Sequence, residues 1–295
     1  MVPVDLDPEQ MPTIAEALAA ADLALSASGV AESRREAASL LSFALEKDRT
    51  FLIAHSEDLV PEAANDWFQA AVKRRSAKEP YHYIVGWKEF YGLRIDVSPG
   101  VLIPRPETEL LAEQAIAFLR KLEKPRFCEA GLGSGCISAA ILSNVPNAKG
   151  VGLEISDVAL EAAKRNLGRL QLISRIEVRR SDLFSAVRPD ERFDLIVSNP
   201  PYIPVSEIPH LQAEVREYEP HIALTDGDDG LSVIRSLVAG SPEHLSSGGI
   251  LAFEIGFGQS PTVVDMFDRN VWREVNVEAD LQGIDRVVIA RMEGH

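Results

Sequence analysis

Through the first eighty residues, apolar positions recur at intervals of three and four. Ile14, Ala17, Leu18, Ala21 and Leu25 share one helical face, and Ala37, Leu40, Leu41, Ala44 and Leu45 share another. Thr13-Ile-Ala-Glu16 has the spacing of a capping box, in which two end groups satisfy each other's backbone donors, and Ser33-Arg-Arg-Glu36 repeats it. A shorter helix is expected around Phe51, Leu52 and Ile53. Another is expected from Pro61, burying Trp67, Phe68 and Val72. Short amphipathic helices with short links predict a compact bundle over residues 1–79.

The pattern changes at Pro80. Tyr81-His-Tyr-Ile-Val85 and the run Phe90 to Val97 alternate as paired strands do, with Trp87-Lys-Glu in the turn between them, so residues 80–104 are expected to form a β-hairpin linker. The run Pro99 to Glu109 then leads into a helix carrying Leu110, Leu111, Ala115 and Leu119. Beyond it strands and helices alternate. Strands are expected at Arg126–Glu129, Lys149–Glu154, Ile176–Arg179, Phe193–Ser198 and Ile250–Ile255, with helices starting near Gly135, Ser156, Gly230 and Gly258. Arg273–Val277 and Arg286–Ala290 read as a closing antiparallel pair. Residues 105–295 are thus predicted to be an α/β domain, a mostly parallel seven-stranded sheet covered on both faces.

Composition narrows the function. Of 295 residues, 46% are hydrophobic and 25% charged, as in ordinary globular proteins. No apolar run is long enough to span a bilayer. The opening Met1-Val-Pro-Val-Asp-Leu-Asp-Pro8 is acidic and broken by proline, unlike a secretory signal, so a cytoplasmic location without membrane attachment is expected. The net charge of −15 and the small basic clusters Lys73-Arg-Arg75, Lys164-Arg165 and Arg179-Arg180 argue against a protein built to grip nucleic acid. Cys128 and Cys136, without partnering histidines, make a poor metal site and no disulfide framework. Asp226-Gly-Asp-Asp229 is an incomplete calcium pattern and reads better as a turn with a helix cap. No metal is expected.

The chemistry collects at strand ends. Glu129-Ala-Gly-Leu-Gly-Ser-Gly-Cys136 turns the first strand of the sheet into a helix, and its glycines let backbone approach a ligand. It departs from the dinucleotide fingerprint by one place, since Cys136 stands where the last glycine belongs, so it is not a phosphate cradle. Glu154 ends the second strand, where a carboxylate accepts both ribose hydroxyls. Asp182 follows the third, placed to accept from an adenine amine, with Leu183 beside it for the purine face. Glu129 is placed to attract an ammonium group, directly or through water. Adenine, ribose and a cationic amino-acid tail, without phosphates, describe S-adenosylmethionine.

Asn199-Pro200-Pro201-Tyr202 leaves the fourth strand as a stiff, donor-poor corner. An amide nitrogen is a weak nucleophile, because its lone pair is delocalised. Two fixed acceptors that each take one of its N–H groups turn the nitrogen toward a methyl group and stabilise the charge that develops. The Asn199 side-chain oxygen and the Pro200 carbonyl suit these posts, because the second proline keeps Pro200 extended. Tyr202 adds a flat face for stacking. The same corner suits an exocyclic amine of adenine or guanine in DNA or RNA equally well. A third possibility is a binding or scaffold protein that keeps the fold without turnover.

At this point the chain resembles the S-adenosylmethionine-dependent amino methyltransferases, through Asn199-Pro-Pro-Tyr202. More narrowly, it resembles the protein-glutamine N5-methyltransferases that modify peptide chain release factors. That likeness rests on the segment Pro99 to Glu109, Tyr218-Glu-Pro220 with Ala223-Leu224, Asp226 to Leu231, Glu254-Ile-Gly256 with Gln259, and Gly283 to Val288. The resemblance implies a Rossmann-like class I methyltransferase fold behind an N-terminal bundle that helps hold the release factor. It implies methylation of the glutamine of the Gly-Gly-Gln loop of class 1 release factors; separately, a monomer without stable nucleic acid binding is expected. Gly131, Leu132, Gly133, Ser134, Gly135, Glu154, Asp182, Leu183 and Asn199 would contact the donor. Asn199, Pro200, Pro201 and Tyr202 would hold the glutamine. Glu129 and Glu154 stand where the family often has aspartate, and Leu183 where it often has a larger aromatic.

Overall fold

The computed structural model describes residues 11–294; the acidic opening segment Met1–Pro8 lies outside them. Two compact units divide at Gly86/Trp87. The smaller contains α1 (Ile14–Ala27), α2 (Ser33–Leu45), α3 (Arg49–Ala54), α4 (Glu62–Ser76) and α5 (Tyr81–Val85). Ile14, Ala17, Ala21, Leu25, Leu40, Leu41 and Phe68 are buried between its helices. The Thr13 capping box forms as its spacing predicts: Glu16 N–H donates to Thr13 Oγ1 at 3.2 Å, and Thr13 N–H to Glu16 Oε2 at 2.8 Å.

Two local expectations for this region fail. Ser33 is the first residue of α2 rather than its cap, and its hydroxyl bonds Asp22 at 2.5 Å. Glu36, the other half of the expected box, instead meets the buried Arg75 of α4 at 2.7 Å. A buried guanidinium must be paired, and that requirement outweighs a surface cap. The second failure is Tyr81–Val85, which is helical rather than extended. Proline at position 80 starts the turn, and Gly86 at φ 83° ends it. The hairpin is therefore displaced toward the C-terminus, with β1 (Trp87–Phe90) antiparallel to β2 (Leu93–Asp96). Its two-residue turn is Tyr91-Gly92, at φ 52° and 72°, the backbone that a tight hairpin demands. The hairpin falls within the larger unit, with the sheet.

That unit continues through α6 (Thr108–Leu119), β3 (Arg126–Ala130), α7 (Cys136–Asn144), β4 (Lys149–Glu154), α8 (Asp157–Arg169), β5 (Ile176–Arg180) and β6 (Phe193–Ser198). It ends with α9 (Ala213–Tyr218), α10 (Ser232–Gly240), β7 (Leu245–Glu254), α11 (Ser260–Val264), β8 (Trp272–Ala279) and β9 (Asp285–Met292). The sheet order is β5-β4-β3-β6-β7-β9-β8. β3 to β7 run parallel, and β9 is antiparallel to both β7 and β8. Phe193, Leu195, Ile196 and Val197 of the central β6 are all buried, as a strand covered on both faces requires. One face packs Ile196, Leu251 and Phe253 against Leu231, Ile234 and Val238 around α10.

Strand order reverses between β3 and β6. In an open α/β sheet that leaves a crevice beyond the carboxyl ends of these two strands. Ser198 Oγ donates to Ala130 O at 2.7 Å across that point, locking the two ends together.

Candidate active site

A cavity of about 210 Å3 opens at this crevice. Gly131, Gly133, Glu154, Asp182, Leu183, Asn199, Pro200 and Pro201 line it, with Leu102, Pro220 and Ile222 above. The glycine loop holds φ of 76°, 56° and 77° at residues 131, 133 and 135, which lets the chain hug the end of β4. Both Gly131 N–H and Leu132 N–H donate to Leu153 O at 2.9 Å. Glu154 secures the rest: Gly133 N–H donates to one of its oxygens and Ser156 N–H to the other, each at 2.8 Å. A carboxylate offers about four lone-pair sites, so acceptor capacity remains for two hydroxyls. Leu183 sits at φ 42°, a left-handed conformation that is costly for leucine, held by Ser181 Oγ donating to Leu183 O at 2.6 Å.

Among the described residues, no lysine, arginine or histidine lines this cavity, while two carboxylates do. Those two acceptors fit the hydroxyls and amine of a nucleoside with a cationic tail. Leu132, Ser134 and Gly135 stand behind the loop rather than on the cavity wall. Leu132 fills the space over Gly152, and Ser134 O accepts from Asn166 at 2.9 Å. Glu129 also departs from its expected place. It is 1% exposed and bonds Ser138 N–H at 2.9 Å and the Ser138 hydroxyl, away from the cavity lining. Burial pushes its carboxyl up to about 8. It holds the first turn of α7 against the end of β3. Asp226 accepts N–H bonds from Asp228, Gly230 and Ser232, the turn and cap its sequence predicts.

A second cavity, about 200 Å3, adjoins the first and shares Leu102, Asn199, Pro200 and Ala223 with it. Its own walls include Arg105, Tyr202, Val215 and Leu224. The Asn-Pro corner therefore stands between two chambers, and Tyr202 lines the second.

Contacts remote in sequence stiffen this corner, and residue-by-residue reading did not assign them. Asn199 Nδ2 donates to Thr108 Oγ1 at 3.0 Å, and the Thr108 hydroxyl donates to Glu254 Oε2 at 2.6 Å. The Tyr202 hydroxyl reaches Glu254 Oε1 at 2.8 Å. Burial, then the Glu254 charge, pushes the Tyr202 phenol well above its ordinary value, so it stays a donor. Gln259 Nε2 holds Tyr202 O at 2.8 Å. The strap Pro99 to Glu109 is pinned as well: Ile103 N–H and the Arg105 guanidinium both bond the buried Glu219, at 3.1 and 2.5 Å, and Glu109 accepts Tyr91 N–H at 2.8 Å. All these residues except Tyr91 lie in the motifs that carried the family likeness. Their partners are 18 to 146 positions away, so only the fold pairs them.

Comparison with known proteins agrees with this geometry. A family model described as PrmC N-terminal domain matches residues 16–86, and one described as Methyltransferase small domain matches 108–211. The release factor glutamine methyltransferase of Cereibacter sphaeroides is 42% identical over 280 residues, covering 94% of this chain and 98% of the relative. That of Geobacter sulfurreducens is 42% identical over 268 residues, with 91% and 93% covered. A solved methyltransferase of Pyrococcus furiosus shares the fold at a TM-score of 0.53 and 20% identity, covering 77% of this chain and 98% of that one. Among the described residues, no helix is long and apolar enough to cross a membrane.

Proposed function

The chain belongs to the release factor glutamine methyltransferase family, and from that premise we propose that it methylates the side-chain amide nitrogen of the glutamine in the Gly-Gly-Gln loop of class 1 release factors. S-adenosylmethionine, when bound in the first cavity, supplies an electrophilic methyl group. Glu154 would hold its ribose, Asp182 and Leu183 its adenine, and the loop Gly131 to Gly135 its tail. The glutamine amide enters from the second cavity. Asn199 Oδ1 and Pro200 O each accept one of its N–H groups, and Pro201 and Tyr202 close the slot around the planar amide. These acceptors orient the nitrogen and stabilise its developing charge. Once the nitrogen carries the methyl group and a positive charge it is strongly acidic, so its proton passes to water and no strong base is required.

The observation that carries this reading is that Asn199 and Pro200 line both chambers at once. Such a wall can grip an amide on one side and aim it at the other. The helical unit takes the role of holding the release factor, which the match over residues 16–86 supports. On this reading the enzyme works as a monomer in the cytoplasm, where release factors act. Methylation of nucleic acid bases is disfavoured by the net charge of −15 and by relatives named for release factors along nearly their whole length.

Labelled donor incubated with purified release factor should label it, and replacing the target glutamine by alanine should abolish the label. Persisting label on that variant would contradict the assignment. Asn199→Ala should lower kcat about 100-fold, the usual loss on removing one pre-organised transition-state partner. Donor affinity should change little. Near-normal turnover would remove the acceptor role.

A further inference from the structure

An asparagine side chain is nearly symmetric in shape but not in chemistry: one end only accepts and the other only donates. The proposed transfer works with one orientation alone. If Nδ2 faced the substrate amide, two sets of N–H donors would oppose each other, and the nitrogen would be neither held nor activated. Something must decide which way round Asn199 stands.

We propose that Glu254 and Thr108 are positioning residues that set the orientation of the Asn199 amide, presenting its Oδ1 to the substrate nitrogen. This rests on the glutamine-methylation reading and deepens it. The direction of each hydrogen bond follows from Glu254. The Thr108 and Tyr202 hydroxyls each meet a different oxygen of its carboxyl group, and in the charged form that group can only accept. Thr108, 2% exposed, and the Tyr202 hydroxyl each spend their single proton on it, at 2.6 and 2.8 Å. The Thr108 oxygen is then left able only to accept. The sole Asn199 group that can satisfy it is Nδ2, which lies 3.0 Å away. Oδ1 is thereby turned from this buried chain and freed for the cavities that Asn199 lines.

The same chain accounts for a buried acid with no other assigned use. Glu254 is the last residue of β7 and 1% exposed, a costly place for a carboxylate. Burial pushes its carboxyl up, while the two hydroxyl bonds and the charge of Arg286 oppose that. Glu254 also ties the first turn of α6 to the corner after β6, so the strap and the Asn-Pro-Pro-Tyr corner are braced against a single group. Replacing Glu254 by glutamine keeps size and shape yet adds a donor. A glutamine NH2 can donate to Thr108, which frees the threonine proton for Asn199 Oδ1 and turns the amide over.

The test compares Thr108→Val, Thr108→Ser, Glu254→Gln and the Thr108→Val/Glu254→Gln pair with the wild type. For each, kcat and KM are measured for methyl transfer to purified release factor at saturating labelled donor. Donor affinity comes from titration calorimetry, which also reports that the fold is intact. Thr108→Val and Glu254→Gln should each lose kcat by about 100-fold, as expected for a misdirected transition-state partner. KM for the release factor and donor affinity should stay within about threefold. Thr108→Ser keeps the hydroxyl and should retain kcat within about threefold. The double variant should lose little more than either single one, because both break one chain.

Near-wild-type kcat in Glu254→Gln or Thr108→Val overturns the relay. So does a loss in Thr108→Ser equal to that in Thr108→Val, or a parallel collapse of donor affinity, which would mark a merely structural role. A wild-type enzyme that fails to label the release factor refutes the substrate reading and takes the relay with it. Full activity in both wild type and Glu254→Gln refutes the relay alone.

Discussion

Gly230→Ala tests how tightly the Asn-Pro-Pro-Tyr corner is held by backbone contact. Gly230 sits at φ 77° in the turn before α10, and a Cβ built there would lie 2.2 Å from Tyr202 O, 2.8 Å from Tyr202 C and 3.0 Å from Pro204 N. Ordinary contact begins near 3.4 Å. Every atom it meets is backbone, so no side-chain rotamer can relieve the overlap, and the corner must move by about 1 Å. A displacement of that size at reacting groups costs on the order of 100-fold in rate. Stability should fall by roughly 1–2 kcal/mol for the left-handed conformation and by roughly 1–3 kcal/mol for overpacking. Gly227→Ala separates the two effects. It carries the same backbone strain, at φ 85°, in the same loop, yet its Cβ would meet nothing within 4 Å. Single-turnover transfer of labelled methyl, with donor affinity by calorimetry, should show about 100-fold slower transfer in Gly230→Ala. Donor affinity should hold, because the atoms a Cβ at Gly230 would meet belong to Tyr202 and Pro204, not to Glu154 or the glycine loop. Gly227→Ala should lose stability but little rate. If both variants transfer at the wild-type rate, or both slow equally, the corner does not depend on backbone contact with Gly230.

Two further outcomes follow from the geometry. Glu154→Ala should weaken donor binding by roughly 10- to 100-fold in calorimetry, as the loss of hydrogen bonds to a charged group predicts; unchanged affinity would remove Glu154 from the ribose site. Hydrogen bonding to Arg179, at 2.6 Å, holds the Glu191 carboxyl down at about 2 against an ordinary 4.5. The folded state thus binds fewer protons than the unfolded one, so the pair's stabilisation is complete above about pH 4.5 and is lost as pH falls toward 2. In urea denaturation, Glu191→Gln should be less stable than wild type at pH 7, and the gap should narrow at pH 3; a constant gap would refute the linkage.

Much of this protein can be read along the chain, because periodic burial and strand-end chemistry are local. The apolar runs at Lys149–Glu154 and Phe193–Ser198 declare buried strands, and the structure has strands over those same residues. The capping box at Thr13 succeeds for the same reason: both of its partners lie within one turn. Glu154, Asp182 and Asn199 were legible as a group because parallel strands bring successive carboxyl ends to one edge of a sheet. Reading failed where a distant partner outbid a local preference. Glu36 left its expected cap for Arg75, and Glu129 turned to Ser138 rather than to the cavity. Tyr81–Val85 alternates like a strand, but flanking Pro80 and Gly86 close it into one helical turn.

What only the tertiary structure decided is the polarity of the corner. Asn199, Thr108 and Glu254 are each visible in the sequence, yet nothing local says which end of an amide faces which oxygen. That choice follows from burying one carboxylate between two hydroxyls, and burial is a property of the folded chain alone.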